Sequence, residues 1–233
     1  MSSVNILSGG AAQGLVGSLA SAFKAQTGFE IAGEFGAVGV MADKLRKGAP
    51  ADIIILTAAL VAKLAEEKLV IAATISDVGL VETALAVRTG DPQAAVKDAA
   101  DLREALLASD AIYVPDTKAS TAGIHVANVL QQLGIADEVA ARLRIFPNGA
   151  TAMRELAASE ARRPIGCTQS TEIISTKGLT LSGSLPPGCE LATMYTAGIT
   201  AAAAHPQQTQ HLLDLLTGAA QHEQRKRAGF IGA

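Results

Sequence analysis

The sequence predicts an α/β layered fold. Short apolar runs alternate with segments whose apolar residues recur at helical spacing. The run Ile53-Ile54-Ile55-Leu56 is apolar throughout, as a central parallel strand covered on both faces would be. Three strand-to-helix junctions are built of tiny residues: Ser8-Gly9-Gly10-Ala11-Ala12, Gly36-Ala37-Val38-Gly39 and Ser120-Thr121-Ala122-Gly123. Small side chains let a backbone approach a ligand closely, and the first turn of a helix presents N–H groups without acceptors. Three such junctions predict an anion site built mainly from backbone donors.

The elements follow in order. Residues 4–7 read as a buried strand, and Leu15, Leu19 and Phe23 stripe a helix that Gly28 ends. Residues 29–35 form a second strand. Met41 and Leu45 mark a short helix ending near Gly48, and Asp52 leads into the 53–56 strand. Leu60 and Leu64 mark the next helix, followed by a strand at 81–87 and the turn Arg88-Thr89-Gly90-Asp91-Pro92. A second series begins with Asp98 as cap of a helix carrying Leu102 and Leu106, then a strand at 111–114. A helix starting near Gly123 carries Val126, Val129, Leu130 and Leu133. Either Thr151 or Asn148 caps the helix of Met153 and Leu156. A strand at 164–168 leads to a late loop holding Cys167, Gln169, Ser170, Thr171 and Glu172. A loop at 184–188 precedes a strand at 191–195, and Pro206 opens a helix with Leu212, Leu213, Leu215 and Leu216.

Composition narrows the function. The chain has 233 residues, 49% hydrophobic, which suffices for one large domain or two lobes with separate cores. Only 18% are charged and the net charge is −3, without a basic stripe, so nucleic acid is not an expected partner. Arg225-Lys226-Arg227 reads as a solvated helix face. With no Trp, two Tyr and five Phe, a small compact ligand suits the chain better than a stacked sugar or base. Cys167 and Cys189 form no CxxC pair, and no spacing resembles a metal-ligand set, so neither metal nor cofactor is expected. No apolar run reaches membrane-span length, so no membrane insertion is expected. No signal peptide precedes the first strand, which predicts a cytoplasmic protein, or a periplasmic one from which a signal peptide has been removed.

The order and wording of these segments resemble the molybdate-binding proteins, bacterial solute-binding proteins that close two lobes on a ligand. The residues that carry the resemblance are the strand, small loop and helix of 8–23, Gly48-Ala49-Pro50-Ala51-Asp52 before the apolar strand, Ala122-Gly123 opening a helix, Pro164-Ile165-Gly166, and Ala228-Gly229-Phe230 near the end. The resemblance covers nearly the whole chain. It implies a two-lobed, type 2 periplasmic-binding-protein-like α/β fold, each lobe a mostly parallel sheet flanked by helices, joined by crossing strands near 83–88 and 191–196. Residues 1–83 and 193–233 would form lobe one and 84–192 lobe two, with a small anionic ligand in the cleft and an ABC permease as partner under a transport reading. That family holds its oxyanion with serine hydroxyls in the first two loops and a tyrosine in the late loop. Here those positions fall on Ala11, Val38 and, for the tyrosine, near Gln169. Two hydroxyls lost from a desolvated site cost about 1–3 kcal/mol each, which disfavours molybdate. Some relatives are cofactor-free isomerases of small unsaturated carboxylic acids, an aconitate-isomerase-like branch. The resemblance therefore leaves two readings: an isomerase of small carboxylates, or the capture protein of an oxyanion importer.

The candidate ligand-binding residues are Ser8, Gly9, Gly10 and Ala11 in the first loop, Ala37, Val38 and Gly39 in the second, and Ser120, Thr121, Ala122 and Gly123 in the third. Thr57 donates a hydroxyl to the ligand or only caps a helix. Arg88 clamps a carboxylate or is a surface hinge residue, and Tyr195 divides in the same way. Thr151, Gln169 and Ser170 complete the binding set. The candidate proton carriers are His125, Cys167 and Glu172. Each has a plainer reading: a solvent-exposed histidine, a buried structural thiol, and a charge at a helix start.

Overall fold

A computed structural model describes residues 2–232. The chain divides into two compact units. Unit 1 comprises the residues up to Val81 and those from Thr193 onward; unit 2 is Glu82–Ala192.

In unit 1, strand β1 (Ser3–Gly9) passes through a single 3-10 turn into helix α1 (Gln13–Thr27). Strand β2 (Glu30–Gly36), helix α2 (Val38–Arg46), strand β3 (Ile53–Thr57) and helix α3 (Ala58–Glu66) follow. Strand β4 (Ser76–Arg88) carries the chain into unit 2.

The unit 1 sheet has the order β2, β1, β3 and then β9 (Ala192–Ile199). β2 and β3 both run parallel to β1, whereas β9 is antiparallel to β3. The 53–56 run is therefore central, as expected, but parallel on one side only. Leu15, Leu19 and Phe23 pack beneath it with Ile53, Ile54, Ile55 and Leu56. Leu212, Leu213 and Leu216 of helix α9 (Pro206–Thr217) close the same core.

Asp52 ties this unit together. Its carboxylate accepts the backbone N–H of Asn5 at 2.7 Å, of Ala204 at 2.6 Å and of His205 at 3.4 Å. One buried side chain thus links β1, the start of β3 and the entry to α9. Asp52→Asn keeps the shape but loses charge-assisted acceptors, and is expected to cost about 2 kcal/mol in urea unfolding. An unchanged midpoint would show that these bonds stabilise nothing.

Unit 2 contains helix α4 (Ala99–Ala108), β5 (Ala111–Pro115), α5 (Thr121–Gln132), α6 (Ala136–Val139), β6 (Leu143–Phe146), α7 (Gly149–Ala157), β7 (Pro164–Gln169), α8 (Ser170–Ile174) and β8 (Leu179–Ser184). β6 and β7 flank β5 in parallel, and β4 runs antiparallel to both β7 and β8. Leu102, Leu106, Ile112, Val114, Val126 and Ile165 centre its core.

Several expectations change. The late loop is instead the end of β7 and the short helix α8, because Pro164–Gln169 is buried at every position and pairs with both β4 and β5. β6, β8 and α6 were not expected at all. β6 and β8 are sheet margins with mostly part-exposed residues, so they lack both an apolar run and clean alternation. Asn148, not Thr151, caps α7, accepting the Thr151 N–H at 2.8 Å. Arg225 belongs to no solvated face. It is buried in helix α10 (His222–Arg227) and donates to the Gly218 carbonyl at 2.7 Å, while Lys226 and Arg227 are exposed.

Candidate functional site

In unit 1, the parallel strands β1, β2 and β3 end on one edge, since Gly9 lies opposite Gly36 and Ser8 opposite Ile55. Each end runs directly into a helical turn. Gly10 and Ala11 form the first, and Ala37 and Thr57 stand at the N-cap positions of α2 and α3. In α2 the first intrahelical bond runs from the Met41 N–H to the Ala37 carbonyl, so Val38, Gly39 and Val40 have donors without an acceptor in the helix. Neither Ala37 nor Thr57 supplies a side-chain cap, so the Thr57 hydroxyl is not spent on α3.

Hydroxyls are scarce at this edge. Ser8 is fully buried and its Oγ donates to the neighbouring Gly9 carbonyl at 2.9 Å. Ala11 and Val38 are buried and offer only backbone donors. Tyr195 pairs in register with Thr57, and its ring packs on Gly9. A Cβ at Gly9 would lie 2.8 Å from Val38 Cγ1 and 2.9 Å from Tyr195 Cε1, so Gly9, Val38, Thr57 and Tyr195 form one cluster.

In unit 2, parallel β5, β6 and β7 likewise end on one edge at Pro115, Phe146 and Gln169. After β5, the Asp116 carboxylate turns the chain by accepting the N–H groups of Lys118 at 2.7 Å and Ala119 at 3.0 Å. Ser120 is the N-cap of α5 but makes no side-chain cap bond. The Ile124 N–H bonds the Ser120 carbonyl, leaving Thr121, Ala122 and Gly123 as the donors without an acceptor in α5. Gly123 is wedged against the β5 exit: a Cβ there would lie 2.1 Å from the Asp116 carbonyl oxygen.

Not every expected residue joins these edges. Arg88 is a correction. β4 runs antiparallel to β7, so Thr83 lies opposite Gln169 while Arg88 lies five residues further on, about 16 Å toward the other end of the sheet. There its guanidinium is taken by Asp91 at 2.7 Å and the Ser159 carbonyl at 2.6 Å. Thr151 lies in the first turn of α7, where its N–H is held by Asn148 and its Oγ1 accepts from Arg154 at 3.0 Å. Cys167 is a second correction: it sits in the core, where burial pushes its thiol up to about 12, so it remains protonated and carries no proton traffic near neutrality. His125 is half-buried and donates from Nε2 to the Cys189 carbonyl at 2.8 Å. Gln169 and Ser170 are buried at the junction of β7 with α8.

Glu172 is neither exposed nor paired with a cation. Its carboxyl accepts the Thr168 hydroxyl at 2.6 Å and the N–H groups of Gln169 and Ala150. Burial outweighs those bonds and raises it to about 7.

Two further hydroxyls lie outside the expected binding residues and proton carriers. Thr83 Oγ1 and Thr171 Oγ1 are buried and have no hydrogen-bond partner among the described residues.

The family model for the bacterial extracellular solute-binding proteins matches residues 4–231. Among curated proteins, the chain is 23% identical to an aconitate isomerase from Pseudomonas sp., covering 93% of this chain and 82% of that one. Among solved structures, the periplasmic molybdate-binding protein of Azotobacter vinelandii superposes with a TM-score of 0.80 at 18% identity, covering 99% of each chain. The sulfate-binding protein SubI of Mycobacterium tuberculosis gives 0.73 at 17% identity, over 99% of this chain and 86% of that one. These structural likenesses show an α/β periplasmic-binding-protein fold. No helix among the described residues is long and apolar enough to cross a membrane.

Proposed function

The chain belongs to the bacterial extracellular solute-binding protein family, and from that premise we propose that it binds a small organic di- or tricarboxylate and isomerises it without a cofactor. The observation that carries the binding reading is that α2, α3 and α5 begin at strand ends without a side-chain cap. Helices α4 and α7, by contrast, are capped by Asp98 and Asn148. Uncapped first turns keep their N–H groups and their partial positive charge for an external anion. The buried, unpartnered hydroxyls of Thr83 and Thr171 add donors in unit 2.

A carboxylate suits this donor set better than a tetrahedral oxyanion. Unit 1 offers backbone N–H groups at Ala11 and Val38, and the Ser8 hydroxyl is turned onto its own backbone. The likeness to aconitate isomerase supports the same substrate class and the reaction type. In that reaction a base takes a proton from an allylic carbon, the double bond moves by one position, and the proton returns at the far carbon. Atoms and electrons balance without a redox partner. With Cys167 a neutral core thiol, Glu172, raised by burial to about 7, and the half-buried His125 remain as the candidate proton carriers.

The alternative, capture of an oxyanion for an ABC permease, is supported by the names of the molybdate- and sulfate-binding neighbours. Thermal-shift titrations with molybdate, tungstate, sulfate and a panel of di- and tricarboxylates separate the two. The proposal expects the largest shift from a carboxylate, and NMR in D₂O should then show deuterium entering its allylic position. A shift with molybdate alone would overturn the carboxylate reading. A carboxylate that binds without exchange would remove the isomerase step and leave a binding protein.

A further inference from the structure

Glu172 occupies a place that a ligand would otherwise take. α7 is one of the helices that start on the strand-end edge of unit 2, and its first turn is filled from inside. Asn148 Oδ1 takes the Thr151 N–H, and the Glu172 carboxyl takes the Ala150 N–H, with Thr168 Oγ1 donating to Oε2 at 2.6 Å. Gly149 makes room for this arrangement: a Cβ there would lie 1.8 Å from Glu172 Oε2 and 2.3 Å from Thr168 Oγ1. The sequence therefore spends a glycine to lay a carboxyl on the start of α7.

Among the described residues, no cation pairs with that carboxyl. The elements packed against α8 are β7, α7 and β8. β7 contributes only the core thiol of Cys167, and β8 has no titratable side chain. α7 carries Arg154 and Glu155, both exposed, and Arg154 is bonded to Thr151. No other titratable side chain lies on α8.

We propose that Glu172 is a specificity-determining residue that makes anion binding proton-linked: its carboxyl stands in for a ligand at the start of α7, and an anion held by the α5 start with Thr83 and Thr171 binds together with one proton. This rests on the anion-binding reading above. A second negative charge on the same sheet edge repels an ionised Glu172, and the protonated acid removes that repulsion. Affinity therefore falls as pH rises through the Glu172 titration, and the site disfavours permanently charged oxyanions in alkaline solution.

The test is calorimetric titration of the full chain with oxalate and fumarate, dicarboxylates whose charge stays constant over the range used. For the wild type, Kd is expected to weaken about tenfold between about pH 6 and pH 8. Glu172→Gln, which imitates the protonated acid, should hold the low-pH affinity across that range. A flat wild-type profile, or an equal slope in Glu172→Gln, would overturn the proton linkage while leaving anion binding intact. If no anion in the panel binds, the anion-binding reading itself falls and the linkage with it. Carbon-13 NMR of the Glu172 carboxyl gives a second readout: a midpoint near that of the affinity change supports the assignment, and an ordinary carboxylate midpoint contradicts it.

Discussion

Gly123→Ala is expected to cost about 3 kcal/mol or more in stability and to abolish anion binding. The added methyl would lie 2.1 Å from the Asp116 carbonyl oxygen, 2.6 Å from the Asp116 carbonyl carbon and 2.6 Å from the Pro115 oxygen. All three are backbone atoms, so no side-chain rotamer relieves the clash. The first turn of α5 must move off the end of β5, and the Thr121, Ala122 and Gly123 N–H groups move with it. Gly17→Ala is the control. Gly17 lies inside α1, away from these edges, with open space around its Cβ position, so alanine there should stabilise by about 0.5–1 kcal/mol. Urea unfolding and ligand titration of both variants check the contrast. A Gly123→Ala protein with wild-type stability and affinity would mean that the close approach of α5 to β5 is not required.

The second large effect is a pH-dependent one on stability. Burial raises the Glu172 carboxyl from 4.5 to about 7. A raised carboxyl favours folding in its protonated form. Its contribution is therefore fully present below about pH 4.5 and is lost as pH rises through about 7. The shift corresponds to about 3 kcal/mol. Glu172→Gln has no such loss, so relative to wild type it should gain about 3 kcal/mol between about pH 4.5 and pH 8. Unfolding midpoints of the two proteins measured in parallel at both ends of that range give the difference directly. A constant difference would show that the carboxyl is ionised in the fold without penalty.

These two residues mark where the sequence was legible and where it was not. Gly123 was visible because a tiny-residue cluster with hydroxyls opens a helix, and local composition carries that signal. The strands β1, β3 and β7 and the helices α1, α5 and α9 were visible because each buries a periodic or continuous apolar face. Glu172 was named, but as a proton carrier or a helix-start charge. Its place at the start of a different helix, α7, depends on how α8 packs, which no local pattern encodes. Arg88 failed for the opposite reason: its position in the chain was right, but strand direction put it at the far end of the sheet from Gln169. Thr83 was not singled out, and Thr171 was named in the late loop without a role, because a lone threonine has no periodic signature and only burial without a partner marks it. The edge strands β6 and β8 were missed because mostly part-exposed positions leave no apolar pattern.

The central claim is that backbone N–H groups at uncapped helix starts hold the anion. Amide NMR of the isotope-labelled chain, titrated with the best carboxylate from the thermal-shift panel, tests it most directly. The largest shifts should fall on Gly10, Ala11, Val38, Gly39 and Ala58 in unit 1 and on Thr121, Ala122 and Gly123 in unit 2. Ala99 and Ala100, behind the Asp98 cap of α4, should stay unmoved. Saturable binding that leaves the uncapped helix starts unshifted would contradict the claim.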